Sequence, residues 1–262
     1  MKIAIYQMSN APDPATNPDR IEAAMREAAA NGADLFVAPE LAMAGYGQGD
    51  ALVDLAQPAD GEWVRRFEAA AREAGIACIA GFPERDGDIC HISAMIIDGK
   101  GQAETRVYRK AFLYGVYEKD KFRAAGPSVV MVDIGDVKTG FLICYDVEFP
   151  ETVRKLAQAG ADLVVVPTAL PMGDYGRHIA GRVIPVRAFE SQVFVAYVNN
   201  ADSDGTFEYQ GMSSVVAPDG VPLAMADERG EALLYAEIDL PAFAQCRLDN
   251  PYVADLAELE TN

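Results

Sequence analysis

The stretch Gly140-Phe141-Leu142-Ile143-Cys144-Tyr145-Asp146-Val147-Glu148-Phe149-Pro150-Glu151 decides how this chain is read. A buried apolar run stops at a cysteine, and a helix begins a few residues later. This is a strand-turn-nucleophile arrangement, analogous in geometry to the serine elbow of other hydrolases. Free backbone N–H groups in such a turn can face an oxyanion. A lone free cysteine is more commonly an inert core residue. Cys78, inside a strand, fits that description well, and Cys90 and Cys246 have no surroundings comparable to those of Cys144.

Two other places break an otherwise bland pattern. In Ala38-Pro39-Glu40-Leu41 a carboxylate directly follows an apolar strand, and ligands tend to bind at strand ends in α/β sheets. In Val107-Tyr108-Arg109-Lys110-Ala111-Phe112-Leu113-Tyr114-Gly115 a cationic pair ends a strand and meets aromatic and apolar residues. Taken alone, each reads best as ordinary surface charge, with the cationic stems laid over apolar groups.

Around these landmarks short apolar runs alternate with amphipathic helical stretches. Strands are expected at Lys2–Tyr6, Leu35–Ala38, Ile76–Phe82, Leu163–Val166, Val193–Val198, Ser213–Val216 and Leu233–Ile238. Helices are expected over Pro18–Asn31, with Asn17 as cap, over Glu62–Ala74 closed by Gly75, over Pro150–Ala159 and over about Ile179–Ser191. The turn Asp98-Gly99-Lys100-Gly101 joins Ile92–Ile97 to Ala103–Tyr108 as a hairpin, and Gly135-Asp136 separates a second antiparallel pair, Val129–Val132 and Thr139–Ile143. Hairpins and αβ units in one chain indicate a layered α/β architecture whose sheets need cover on both faces. Helices can cover one face, and a second sheet could cover the other.

The chain has 262 residues, half of them hydrophobic, enough for a sizeable core. No linker, low-complexity tract or internal repeat is visible, so a single domain over residues 1–262 is expected, with a C-terminal tail from about residue 241. The net charge of -18 repels nucleic acid and anionic membranes. The start lacks an apolar signal region, and no run is long enough to span a bilayer. Four widely separated cysteines without a CxxC pair read as free thiols in a reducing cytoplasm. His91 and His178 have no zinc-ligand spacing, so no metal is expected.

Pro39-Glu40, Arg109-Lys110 and Cys144-Tyr145-Asp146 followed by Phe149-Pro150-Glu151 occur in the order found in the nitrilase superfamily, the carbon–nitrogen hydrolases. The chain resembles that family from its first strand to about Ile238. The resemblance implies an α-β-β-α four-layer sandwich with two mixed sheets that dimerises face to face. It implies a Glu40-Lys110-Cys144 triad and a second glutamate, Glu118, soon after the lysine. Tyr145-Asp146 after the cysteine looks more like the amidase branches than the Trp-Glu of true nitrilases.

The chemistry fits independently of the family. An amide is a poor electrophile, and a thiolate is far more nucleophilic than an alcohol near neutral pH. With histidine scarce, Glu40 can take the thiol proton if burial raises its pKa. Lys110 can sit by the developing oxyanion, and the Tyr145 N–H is the natural second donor. Glu118 would orient Lys110 and the substrate amide. No cofactor is needed, and the expected partner is a small carboxamide. Tyr46, in a glycine-rich loop, Tyr114, Thr168-Ala169 and Asn199 are candidate pocket residues. Asn199-Asn200 stands where many relatives have Asn followed by Arg, and this chain lacks that arginine.

Overall fold

A computed structural model describes residues 1–9, 13–101 and 103–260. In the amino-terminal half, β1 (Lys2–Ser9), β2 (Leu35–Val37), β3 (Ala77–Asp86), β4 (Ile89–Ile97) and β5 (Arg106–Arg109) line up in the order β5-β4-β3-β2-β1. The second half supplies β6 (Met131–Ile134), β7 (Val137–Phe141), β8 (Leu163–Thr168) and β9 (Phe194–Ser203), in the order β9-β8-β7-β6. β10 (Glu208–Gln210) and β11 (Ser214–Val216) flank β9, and β12 (Pro222–Met225) pairs with β11. β13 (Ala232–Glu237) returns to run antiparallel along β1. β1 and β9 pair only through Met8–Asn200 and Ser9–Ala201, so two mixed sheets meet edge to edge there.

Alternation along β1 shows how the layers are filled. Ile3 and Ile5 face a core shared with Phe141, Val164, Val166 and Val198 of the second sheet. Ala4, Tyr6 and Met8 point the other way, toward Ile21, Met25, Val64 and Phe67. Those last four belong to α1 (Asn17–Ala30) and α3 (Glu62–Ala74), which cover the outer face of the first sheet; α2 (Ala51–Leu55) is a short piece between them. α3 stops at Gly75, whose left-handed φ of 68° suits a residue without a Cβ. The second sheet is covered by α5 (Pro150–Gln158) and α7 (Ile184–Ser191), which follow the one-turn α4 (Gly115–Lys119) and α6 (Asp174–His178). The four-layer α-β-β-α sandwich is thus the observed architecture.

Several expectations need correcting. Asn17 does not cap α1 but is its first residue, and its side chain donates to the Ala42 carbonyl at 3.0 Å, tying the helix to the loop after Glu40. The helix expected from Ile179 begins at Asp174 and passes through a π-helical turn, Ile179–Val183, before α7. Asp86-Gly87-Asp88 forms a tight hairpin between β3 and β4 that polar composition concealed. From residue 241 on come a short 3-10 turn (Pro241–Phe243), α8 (Ala244–Asp249) and α9 (Tyr252–Glu260). Arg247 ties this segment to Asp162 and to the Gln192 carbonyl. Among the described residues no helix is long and apolar enough to cross a membrane.

Candidate active site

The residues singled out by sequence sit at strand ends on one side of the sandwich. Glu40 follows β2 in a loop held by the first sheet: Ala38 N–H donates to the Ile79 carbonyl and Gly81 N–H to the Pro39 carbonyl. A Cβ on Gly81 would lie 2.4 Å from Leu41 N and 2.7 Å from Glu40 Cα, so only glycine lets the loop approach β3 this closely. Lys110 is the first residue after β5. Arg109 turns to the opposite face and forms a fork with Glu84, as the two-residue period of a strand requires. Cys144 follows β7 with a φ of 47°, a left-handed backbone unusual outside glycine, and opens a 3-10 turn, Cys144–Glu148.

These side chains converge. Lys110 Nζ donates to Glu40 Oε1 at 2.7 Å and to Glu118 Oε1 and Oε2 at 2.7 and 2.9 Å. All three residues are at most 1 % exposed. Glu118 also accepts from the Tyr46 hydroxyl at 2.8 Å and from the Tyr114 N–H at 2.7 Å. Glu40 Oε2 is buried and meets no donor at hydrogen-bonding geometry among the described residues. The Cys144 thiol is nonetheless close enough to hold the Glu40 pKa down somewhat.

Burial dominates the electrostatics. It pushes the Glu40 carboxyl up to about 7, against the opposing pull of the Lys110 ammonium. Burial, with the Glu40 charge, also raises the Cys144 thiol well above its ordinary value, so the resting sulfur is a neutral thiol. For Lys110, desolvation alone would favour the neutral amine, but the charges of Glu40 and Glu118 outweigh it and keep the ammonium. Cys78, by contrast, is raised by burial alone.

The pocket candidates fare differently. Tyr46 is brought into the cluster through Glu118. Tyr114 reaches the cluster only by its backbone; its side chain is 48 % exposed and packs edge-on against the Tyr145 ring. The Ala169 backbone is near enough to the Cys144 sulfur to hold its pKa down somewhat, and Thr168 is buried with its hydroxyl on the Val166 carbonyl. The Asn199 amide is fully engaged inside the fold, accepting from Leu170 N–H and donating to the Gly211 carbonyl, so it supports the 168–170 segment. Asn200 lies against the Glu40 carbonyl at 3.5 Å. The Tyr145 N–H meets no backbone or side-chain acceptor among the described residues. A cavity of about 850 Å³ is lined by Arg65, Glu68, Thr105 and Arg109 and touches none of Glu40, Lys110 or Cys144. Among the described residues no group of His, Cys, Asp or Glu is arranged to hold a metal ion.

Sequence reading passed over Asp146 as more than a motif letter. Its buried carboxylate accepts from Ile143 N–H at 3.1 Å, Ala111 N–H at 3.1 Å, Phe112 N–H at 2.8 Å and the Tyr108 hydroxyl at 2.9 Å. It therefore ties the cysteine turn to the segment carrying Lys110. Asp146→Ala would strand three buried N–H groups, each worth about 1–3 kcal/mol. The expected outcome is a stability loss of about 3 kcal/mol or more in urea unfolding. Activity should fall with it, because Cys144 and Lys110 lose their common anchor.

The chain matches the family model for carbon-nitrogen hydrolases over residues 2–248. A curated hydrolase of Pseudomonas protegens, encoded in the region 5' of pqqF, is 40 % identical over 259 residues, covering 97 % of this chain and 88 % of that protein. A solved amidase from Nesterenkonia sp. AN1 superposes with a TM-score of 0.86 at 33 % identity, over 100 % of this chain and 99 % of the other. A cysteine-to-alanine mutant of that amidase, in complex with butyramide, gives a TM-score of 0.85 at 34 % identity over 100 % and 96 %. With the sandwich, the buried carboxylate–ammonium cluster and the cysteine elbow in place, the chain belongs to the carbon-nitrogen hydrolase family and is an enzyme acting on carbon–nitrogen bonds.

Proposed function

We propose that the chain is an amidase that converts a small carboxamide to its carboxylic acid and ammonia through a thioester on Cys144. The observation that carries this reading is the division of labour within Glu40. One oxygen binds the Lys110 ammonium, and the other is unpartnered beside the Cys144 thiol. The complex of the Nesterenkonia amidase with butyramide supports the choice of an aliphatic amide.

The sulfur attacks the carbonyl carbon as Glu40 takes the thiol proton. Charge develops on the carbonyl oxygen, where the Lys110 ammonium and the Tyr145 N–H stabilise it. The C–N bond then breaks, Glu40 returns the proton to the leaving nitrogen, and ammonia departs. In the second half Glu40 takes a proton from water, and hydroxide adds to the thioester. The C–S bond breaks, Glu40 reprotonates the sulfur, and the acid leaves. Glu118 holds Lys110 from the far side through two contacts and is itself fixed by Tyr46 and the Tyr114 N–H. The same reading carries a homodimer in the cytoplasm.

The test is ammonia release from matched carboxamide, nitrile and N-carbamoyl substrates. Turnover of the carboxamide at least tenfold faster than the others supports the reading; preference for the nitrile or carbamoyl compound overturns it. The pH profile follows from Glu40. A base with a pKa of about 7 is protonated and inactive below that pH, so kcat/KM should fall about tenfold per unit below it and level off above. Glu40→Gln should remove this acid limb along with nearly all activity.

A further inference from the structure

The turn that presents Cys144 ends at Glu148, a residue to which the mechanism above gives no task. Glu148 is half-buried, and among the described residues its carboxylate forms no hydrogen bond and no ion pair. The cations whose charges reach it are committed elsewhere. Lys110 is held by Glu40 and Glu118. Arg187 directs Nε to the Val147 carbonyl at 2.9 Å, one terminal nitrogen to the Glu148 carbonyl and the other to the Glu190 carboxylate. Arg187 thus fixes the backbone under Glu148 without neutralising its side chain. Burial pushes the Glu148 carboxyl above its ordinary range, as expected for an acid partly withdrawn from water and given no protein donor.

Its position relative to the reacting centre is defined. Cys144 and Glu148 begin and end one 3-10 turn, about 8 Å apart along its axis at ~2 Å per residue. Near both lies Tyr197 of β9, fully buried. Its hydroxyl is kept neutral first by desolvation and then by the Glu148 charge, with Thr168 alongside. The nucleophile, a neutral hydroxyl and a carboxylate with no hydrogen-bond partner among the described residues therefore lie in one neighbourhood.

We infer that Glu148 is a specificity residue that binds a cationic group, an ammonium above all, on the acyl chain of the substrate, so that the preferred substrates are amino-substituted aliphatic carboxamides. This rests on the amidase reading and narrows it. An incoming ammonium gives the carboxylate the donor that the fold withholds, and a charge of -18 draws cations toward the surface. The distance between nucleophile and carboxylate makes the preference depend on chain length.

The experiment compares kcat/KM for isosteric pairs in which a terminal methyl replaces the ammonium: butanamide with 3-aminopropanamide, pentanamide with 4-aminobutanamide, hexanamide with 5-aminopentanamide. At one chain length the ammonium member should be favoured by about ten- to a hundredfold, the range for a hydrogen bond to a charged group. Glu148→Gln should collapse that ratio toward one, Glu148→Asp should retain part of it, and Glu148→Arg should shift preference toward amides bearing a distal carboxylate. Because the readout is a ratio within each variant, a general loss of active enzyme cancels. A wild-type ratio at or below one at every length, or a ratio that Glu148→Gln leaves unchanged, overturns the inference while the amidase reading stands. Failure to hydrolyse any member of any pair overturns the amidase reading itself.

Discussion

Cys144→Ala lowers kcat on a carboxamide by roughly a million-fold, the scale seen when the nucleophile of a catalytic triad is removed, and leaves the fold intact. The sulfur is the only atom in the cluster able to form the thioester, since Lys110 Nζ is held by Glu40 and Glu118 and Glu40 serves as the base. Structurally the change is small. The residue keeps its backbone turn, whose geometry is set by Asp146 and by the Leu142 N–H on the Val165 carbonyl. Steady-state rates together with an unchanged thermal transition check this. A variant retaining more than about one part in a thousand of the rate would assign the chemistry to another group.

Lys110→Ala is expected to cost at least three powers of ten, because two functions fail together. The oxyanion loses a buried ammonium, a change worth about two to three powers of ten on its own. Glu40 also loses the cation that favours its ionised form, so its pKa climbs above about 7 and the base is lost at neutral pH. The residual rate should therefore recover partly as pH rises, displacing the acid limb to higher pH, whereas loss of a purely structural contact would leave the limb in place. The buried Glu40 carboxyl is left without its cation and takes up a proton on folding. The variant should accordingly be more stable at pH 6 than at pH 8. A rate within tenfold of wild type would remove Lys110 from the mechanism.

Much of this was legible along the chain because each piece carried a local signature. The apolar runs before Glu40 and Cys144 mark buried strands, and Gly75 and Gly160 punctuate helices where left-handed φ values are required. Hairpin turns at Asp98–Gly101 and Gly135-Asp136 revealed that the sheets are mixed. What sequence could not show was direction. Arg109 and Lys110 are neighbours of the same charge, yet one faces Glu84 and the other the buried cluster, and only strand register separates them. Asn17 looks like a helix cap, but tertiary contact with the Ala42 carbonyl took its side chain. Asn199 looks like a pocket residue because it follows an apolar strand; its amide instead satisfies backbone groups 12 and 29 residues away. Asp146 and Glu148 sit two residues apart in the same motif. Their opposite fates, one saturated by four donors and one by none among the described residues, depend on segments remote in sequence.

The central claim is covalent catalysis by Cys144, and acid-quenched intact mass spectrometry during carboxamide turnover reads it directly. The predicted result is a species heavier by the acyl group less one hydrogen, localised by peptide mapping to the segment containing Cys144 and absent from Cys144→Ala. Turnover that proceeds with no such species at any pH sampled, or an adduct on Cys90 or Cys246 instead, would contradict the account.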